Sequence, residues 1–144
     1  MADFAHATVK LVDGMQFLGE SGTGHAFVMD AAPAVGGKDT GCRPMELLLI
    51  GLGGCTAMDV VSILRKKKLK VKGVQTNVKG NWVAGETYPK YFETIEVEYI
   101  VTGSGIKDTD VSRAIALSEE KYCSVMANLR GTSKVTTSFK VVEE

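Results

Sequence analysis

The sequence lacks an excess of charge of either sign, with 17 basic side chains against 17 acidic ones in 144 residues. A neutral chain exerts no long-range pull on nucleic acid or an anionic membrane surface, so polyanion binding is not expected. Histidine is scarce. His6 and His25 are the only two, and neither stands beside a cysteine at the spacing of a standard zinc motif. No metal centre or cofactor is expected from them, and both read as ordinary strand residues. The opening stretch Met1 to Val9 has no basic segment followed by an apolar run, which argues against a secretory leader and for a reducing cytoplasm. In that setting the three cysteines, Cys42, Cys55 and Cys123, are not a disulfide framework, and their odd number leaves at least one without an intramolecular partner. Internal repeats, low-complexity tracts and linkers are also absent. The length suits one domain over residues 1–144 with room for a sizeable core.

One apolar run is long enough to imitate a membrane span. Met45 to Leu64 covers 20 residues, which as a helix matches a hydrocarbon layer roughly 30 Å thick. Glu46 and Asp59 would be costly in lipid, and the flanking segments read as strands and an amphipathic helix, so a core helix of a soluble protein is the better reading. Pro44 suits its first turn, and Arg65 to Lys68 suit the negative end of its dipole. Ahead of it, Ala7 to Val12, Gln16 to Leu18 and His25 to Met29 read as strands separated by glycine turns. After it, Leu69 to Val83 and Tyr91 to Val101 form a long hairpin, with Ile95, Val97, Tyr99 and Val101 on one face. A helix capped by Asp108 or Asp110 presents Val111, Ala114, Ile115 and Ser118 and runs to about Tyr122. A short helix over Ser124 to Leu129 and a final strand over Ser133 to Val142 complete the chain. The fold class is α+β, an antiparallel sheet packed around a long central helix.

Three glycines interrupt that helix at Gly51, Gly53 and Gly54, each costing about 1 kcal/mol relative to alanine. With Ala57 they form a narrow strip. Such a strip admits a close backbone, either from the same helix of a second subunit or from another element of the same chain.

The cysteines differ in setting. Cys123 stands as N-cap or first residue of the short helix, where free N–H groups favour a thiolate. Cys55 lies in mid-helix among apolar neighbours, where burial opposes the charged form unless a cation or a donor reaches it from elsewhere. Asp59 is about 40° from Cys55 on the helical wheel and Glu46 about 180° away, so only Asp59 shares its face. A neighbouring carboxylate opposes a thiolate unless it orients a donor in between. Arg43 and Lys10 are the nearest basic candidates along the early chain, and spacing alone brings neither to the sulfur. For either cysteine alone, a small buried hydrophobe is the competing interpretation. Cys42 reads as an incidental exposed thiol.

Pro44-Met45-Glu46-Leu47-Leu48, then Gly53-Gly54-Cys55-Thr56-Ala57-Met58-Asp59-Val60-Val61, and Glu119-Glu120-Lys121-Tyr122-Cys123-Ser124-Val125 downstream, together resemble the OsmC/Ohr family, nearest its YhfA-like branch. Val12 to Ser21 and Gly24-His25 agree as well, so the resemblance spans nearly the whole chain. It implies an intertwined homodimer with the long helices at its centre and two sites at the subunit interface. It further implies that Cys55 attacks a hydroperoxide, that Cys123 resolves the product to a disulfide, and that a dithiol of lipoyl type restores the thiols. Members of the family that act as peroxidases carry an arginine on an early strand or loop and a glutamate directly after the helix-starting proline. Here no arginine precedes Arg43, and Met45 follows Pro44, with Glu46 about 100° further round the helix. The expected function is a thiol-dependent (hydro)peroxide reductase of oxidative-stress defence. A small-molecule-binding dimer of the same fold without catalysis is the alternative.

Overall fold

The computed structural model describes residues 4–144, so Met1 to Asp3 of the stretch read for a leader lie outside it. Its backbone contacts divide the chain into two units, one ending at Leu48 and one over Leu49–Glu144.

In the first unit, β1 (Ala7–Asp13), β2 (Gln16–Ser21) and β3 (Ala26–Met29) form an antiparallel meander in the order β1-β2-β3. Gly14 makes the first turn at φ +55° and Gly24 the second at φ +86°, a region that favours glycine. The loop after β3 is organised by Asp30, whose carboxylate accepts from the Thr40 hydroxyl at 2.5 Å and from the N–H groups of Ala31, Lys38 and Thr40. These bonds, the Thr40 hydroxyl foremost, hold the Asp30 carboxyl down at about 2 against the opposing effect of burial.

Helix α1 (Pro44–Lys66) opens as its sequence predicts. Pro44 needs no amide partner, and Glu46 accepts from the Arg43 N–H at 2.7 Å while its own N–H donates to the Arg43 carbonyl at 3.0 Å. It ends with Lys68 at φ 61°, where Lys68 N–H donates to Arg65 O at 2.8 Å and Leu69 N–H to Leu64 O at 3.2 Å. That is a Schellman closure carried by a residue other than glycine.

In the second unit, β4 (Lys70–Trp82) and β5 (Phe92–Ser104) pair antiparallel, and β6 (Lys134–Glu143) joins β5 in parallel. The predicted single antiparallel sheet is thus two three-stranded sheets, the second of them mixed. The long connection from Gly105 to Ser133 makes this possible, because a parallel return needs a crossover of a dozen or more residues. That crossover carries α2 (Asp108–Leu117), a π-helical turn (Ser118–Tyr122) and α3 (Ser124–Leu129). The N-cap of α2 is Lys107 rather than an aspartate. Asp110 serves from the third position, its carboxylate accepting the Lys107 N–H at 3.1 Å.

The core lies in this unit. Ile95, Val97, Tyr99 and Val101 on β5, the face read from alternation, are buried, as are Val111, Ala114, Ile115 and Ser118 on α2 and its continuation. From α1, Leu52, Thr56, Val60 and Leu64 are buried too. The opposite face of α1 is open, with Ile50 62% and Met58 74% exposed, so the chain by itself encloses one side of this helix. Among the described residues α1 is the one helix long and apolar enough to cross a membrane. Its buried side packs within the second unit, as in the core helix of a soluble fold.

The glycine strip divides by function. A Cβ on Gly53 would stand 2.8 Å from Thr76 Oγ1 and 3.0 Å from Val78 Cγ2, so here the close approach is to β4 of the same chain. Thr76 uses it, donating its hydroxyl to the Gly53 carbonyl at 3.1 Å. A Cβ on Gly51 or Gly54 would meet nothing within 4 Å.

Candidate active site

The cysteines that are 68 positions apart in sequence meet in the second unit. Cys55 projects from the middle of α1, and Asp59 follows one turn later on the same face, as the wheel predicts. Cys123 caps α3, its sulfur accepting the Met126 N–H at 3.3 Å. The Cys55 and Cys123 sulfurs and an Asp59 carboxylate oxygen all lie within 4.8 Å of one another. Cys55 and Asp59 are half-buried, and Cys123 is only 3% exposed.

The π-helical turn between α2 and α3 explains how Cys123 arrives there. Cys123 N–H donates to Ser118 O at 2.7 Å, closing a wide turn that sets Cys123 at the start of α3. Ser118, at the beginning of that turn, donates its hydroxyl to Asp59 Oδ2 at 2.9 Å. One wide turn therefore delivers both a thiol and a hydrogen-bond donor to the same face of α1. Beneath it, the buried Tyr99 donates its hydroxyl to Glu119 Oε1 at 3.1 Å, and Thr137 donates to the same oxygen. Burial first, and then the Glu119 charge, push the Tyr99 phenol up, keeping it neutral and a donor.

The electrostatics of Cys123 differ from the sequence expectation. The N-cap position and its N–H donor are present, but burial outweighs them, and the neighbouring Cys55 acts in the same direction as burial. Together they push the Cys123 thiol up to about 11. Capping predicts the direction of one contribution, whereas enclosure by the core is invisible in local sequence.

The remaining candidates belong to the first unit, where each has its own surroundings. Arg43 donates to Asp39 Oδ1 at 2.8 Å and to the Gly41 carbonyl at 3.2 Å, within the first unit. Glu46 is occupied in capping. His6 and His25 are exposed, and the His25 ring shares a hydrogen bond with Thr23 at 3.2 Å. Cys42 is half-buried rather than exposed, its thiol donating to the Val28 carbonyl at 3.7 Å. A cleft of about 380 Å³ opens beside Asp59, lined by Ser62, Ile63, Lys66, Lys67, Leu117 and Tyr122. Sequence reasoning missed Ser118 as a partner of Asp59; its place on the buried face of α2 was the only available signal.

The second unit is thus a mixed α+β fold in which a mid-helix thiol lies close to a helix-capping thiol. The chain belongs to the OsmC-like protein family, whose model matches residues 37–138. It is 44% identical over 136 residues to Protein YhfA of Escherichia coli strain K12, covering 94% of this chain and 97% of that one. Among solved structures, a hypothetical protein from Aquifex aeolicus VF5 is similar with a TM-score of 0.85 and 31% identity, covering 99% of each chain. An organic hydroperoxide resistance protein from Elizabethkingia anophelis shares the fold at a TM-score of 0.71 and 18% identity, over 100% of this chain and 99% of that one.

Proposed function

We propose that this protein is a cysteine-based hydroperoxide reductase acting in oxidative-stress defence, with Cys55 as the attacking thiol and Cys123 as the resolving one. The observation that carries this reading is the approach of the two sulfurs, within 4.8 Å, from elements far apart in sequence. Membership of a family that includes hydroperoxide resistance proteins supports it.

In the proposed cycle the Cys55 thiolate attacks the distal oxygen of a hydroperoxide. An S–O bond forms, the O–O bond breaks, and the alkoxide takes a proton and leaves as alcohol. Cys123 then gives up its proton and attacks the Cys55 sulfur, forming the disulfide and expelling hydroxide, which leaves as water. Two thiols and one hydroperoxide thereby give one disulfide, one alcohol and one water. A dithiol of lipoyl type restores the pair by exchange and becomes a cyclic disulfide itself. Closing the bond needs side-chain rotation that brings the sulfurs to about 2.05 Å.

The assembly proposed is a homodimer in the cytoplasm. Its support is the apolar side chains left exposed on each unit, Val9 and Leu11 on the first and Ile50 and Met58 on the second, and the unfilled space beside Gly51 and Gly54. The test of function is stoichiometric cumene hydroperoxide added to the reduced protein. An intrachain Cys55–Cys123 disulfide is expected by mass spectrometry, and free thiols surviving prolonged exposure would refute the reading. Cys55→Ser should abolish turnover, whereas Cys123→Ser should permit one attack and then accumulate sulfenic or sulfinic acid.

A second reading, a small-molecule-binding dimer without catalysis, is favoured by one observation. Arg43 and Glu46, the residues nearest to the family's activating arginine and glutamate, are committed to Asp39, the Gly41 carbonyl and the Arg43 amide. Negligible peroxide consumption by fully reduced protein selects this reading.

A further inference from the structure

We infer that the reduced protein binds one soft divalent cation, of the zinc class, through the sulfurs of Cys55 and Cys123 and the carboxylate of Asp59. The three donor atoms lie within 4.8 Å of one another. Around a tetrahedral zinc, with Zn–S about 2.3 Å and Zn–O about 2.0–2.2 Å, donors of this kind stand roughly 3.5–3.8 Å apart. Inward adjustment of about 1 Å, within reach of side-chain rotation, closes the site.

Three further features fit a cation. Asp59 is oriented by the buried Ser118 hydroxyl at 2.9 Å, which occupies part of one carboxylate oxygen and leaves the other free, as outer partners of metal ligands do. The Cys123 sulfur accepts the Met126 N–H, which steadies a thiolate once the metal has displaced its proton. The cleft lined by Asp59, Ser62 and Tyr122 gives a path from solvent to the carboxylate. Lys66 and Lys67 also line it, but Lys67 is paired with Asp110 at 3.8 Å.

Two sulfurs and one oxygen select zinc, cadmium or cobalt over magnesium and calcium, which require oxygen ligands. Binding expels two thiol protons, so the donors carry three negative charges against the metal's two positive ones. With no histidine in the cluster, the fourth tetrahedral position is left for water or an added ligand. The consequence is regulatory. Metal and disulfide need the same two sulfurs, so an occupied site is protected from oxidation and an oxidised site cannot be loaded.

The test is cobalt(II) titration of the reduced protein under anaerobic conditions. A sulfur-to-cobalt charge-transfer band in the near ultraviolet, with visible bands of tetrahedral intensity, is expected at one equivalent, and zinc should displace it. Two protons should be released per metal, read with a pH indicator. Cys42→Ser should leave the spectrum unchanged, Asp59→Asn should weaken binding, and Ser118→Ala, which removes the outer partner of Asp59, should weaken it by about 10–100-fold. Wild type oxidised to the disulfide, with its fold checked by circular dichroism, should show no band, which keeps the test valid if a cysteine variant misfolds. Absence of the band in reduced wild type overturns the inference, as does a band that survives Cys123→Ser or disappears in Cys42→Ser. The readout needs no peroxide, so failure of the peroxidase reading and failure of this one are distinguishable.

Discussion

Replacing the three helix glycines by alanine, one at a time, separates contacts within the chain from contacts between copies. In an isolated helix each change is worth about 1 kcal/mol in favour of alanine. At Gly53 the new methyl would stand 2.8 Å from Thr76 Oγ1 and 3.0 Å from Val78 Cγ2. Overpacking of about 1–3 kcal/mol therefore offsets the gain, and Gly53→Ala should range from neutral to about 2 kcal/mol less stable. At Gly54 and Gly51 nothing lies within 4 Å of the added carbon. A monomer should gain about 1 kcal/mol from either substitution. In a two-fold dimer crossing at this strip, both copies bring a methyl to one interface, and the overpacking counts twice. The helix-propensity gain is shared by free and associated subunits and cancels, so the association penalty of about 2–6 kcal/mol exceeds the 1.4 kcal/mol of a factor of ten, and the dimer should dissociate at least about tenfold more readily. Sedimentation across a concentration series reads the association, and urea melts read the stability. A wild type that is monomeric at micromolar concentration, or Gly54→Ala and Gly51→Ala proteins that gain stability with association unchanged, would refute the dimer argued from this face.

Lys68, at φ 61° in the C-terminal closure of α1, pays a left-handed conformational cost of about 1–2 kcal/mol, part of which glycine returns as extra unfolded-state freedom. Lys68→Gly should therefore raise stability by about 0.5–1 kcal/mol in urea melts; a loss would show that the lysine side chain contributes more than its strain. Asp30 has its folded value lowered to about 2 from 3.8, so its contribution is complete above pH 3.8 and disappears as pH falls toward 2. Asp30→Asn should be less stable at neutral pH and flatter across that acid window, and an unchanged acid slope would refute the loop assignment. Cys123 titrates in the opposite sense: raised from 9.0 to about 11, it favours the fold below pH 9, and that contribution is lost as pH climbs toward 11. Cys123→Ser should remove this alkaline loss. In the wild type the closure of the disulfide after peroxide attack should accelerate as pH rises, because the Cys123 thiolate is the attacking form, measured by rapid-quench mass spectrometry.

The legible parts of the fold were those where one periodicity decides. The apolar face of β5 and the buried face of α2 were read from spacing alone, because each buries residues at a fixed repeat. Strand directions were not legible. The parallel docking of β6 on β5 depends on how the crossover is routed, which no local repeat encodes. The site was half legible. Both cysteines and the shared face of Asp59 could be named, but the Ser118 contact depends on a π-helical turn that has no simple sequence signature. The Cys123 environment was misjudged for a similar reason: a cap is local, and burial depends on the whole core.

Asp59 brings the two proposed chemistries into opposition. Its carboxylate lies within 4.8 Å of both sulfurs, so it repels the thiolate that peroxide attack requires and attracts the cation that the donor set would hold. Two unit charges at that distance interact by about 3 kcal/mol at an effective dielectric near 20, and by less where water reaches the half-buried site. Asp59→Asn removes the charge and keeps an amide oxygen able to accept from Ser118, so the packing of α1 against the π-helical turn is retained. Formation of sulfenic acid at neutral pH should therefore be faster, while cobalt affinity falls. Stopped-flow peroxide consumption and cobalt titration on the same preparation give the two signs. If both quantities fall together while the circular dichroism spectrum is unchanged, Asp59 is an organiser of the Cys55 side chain, and the opposition argued from its charge is wrong.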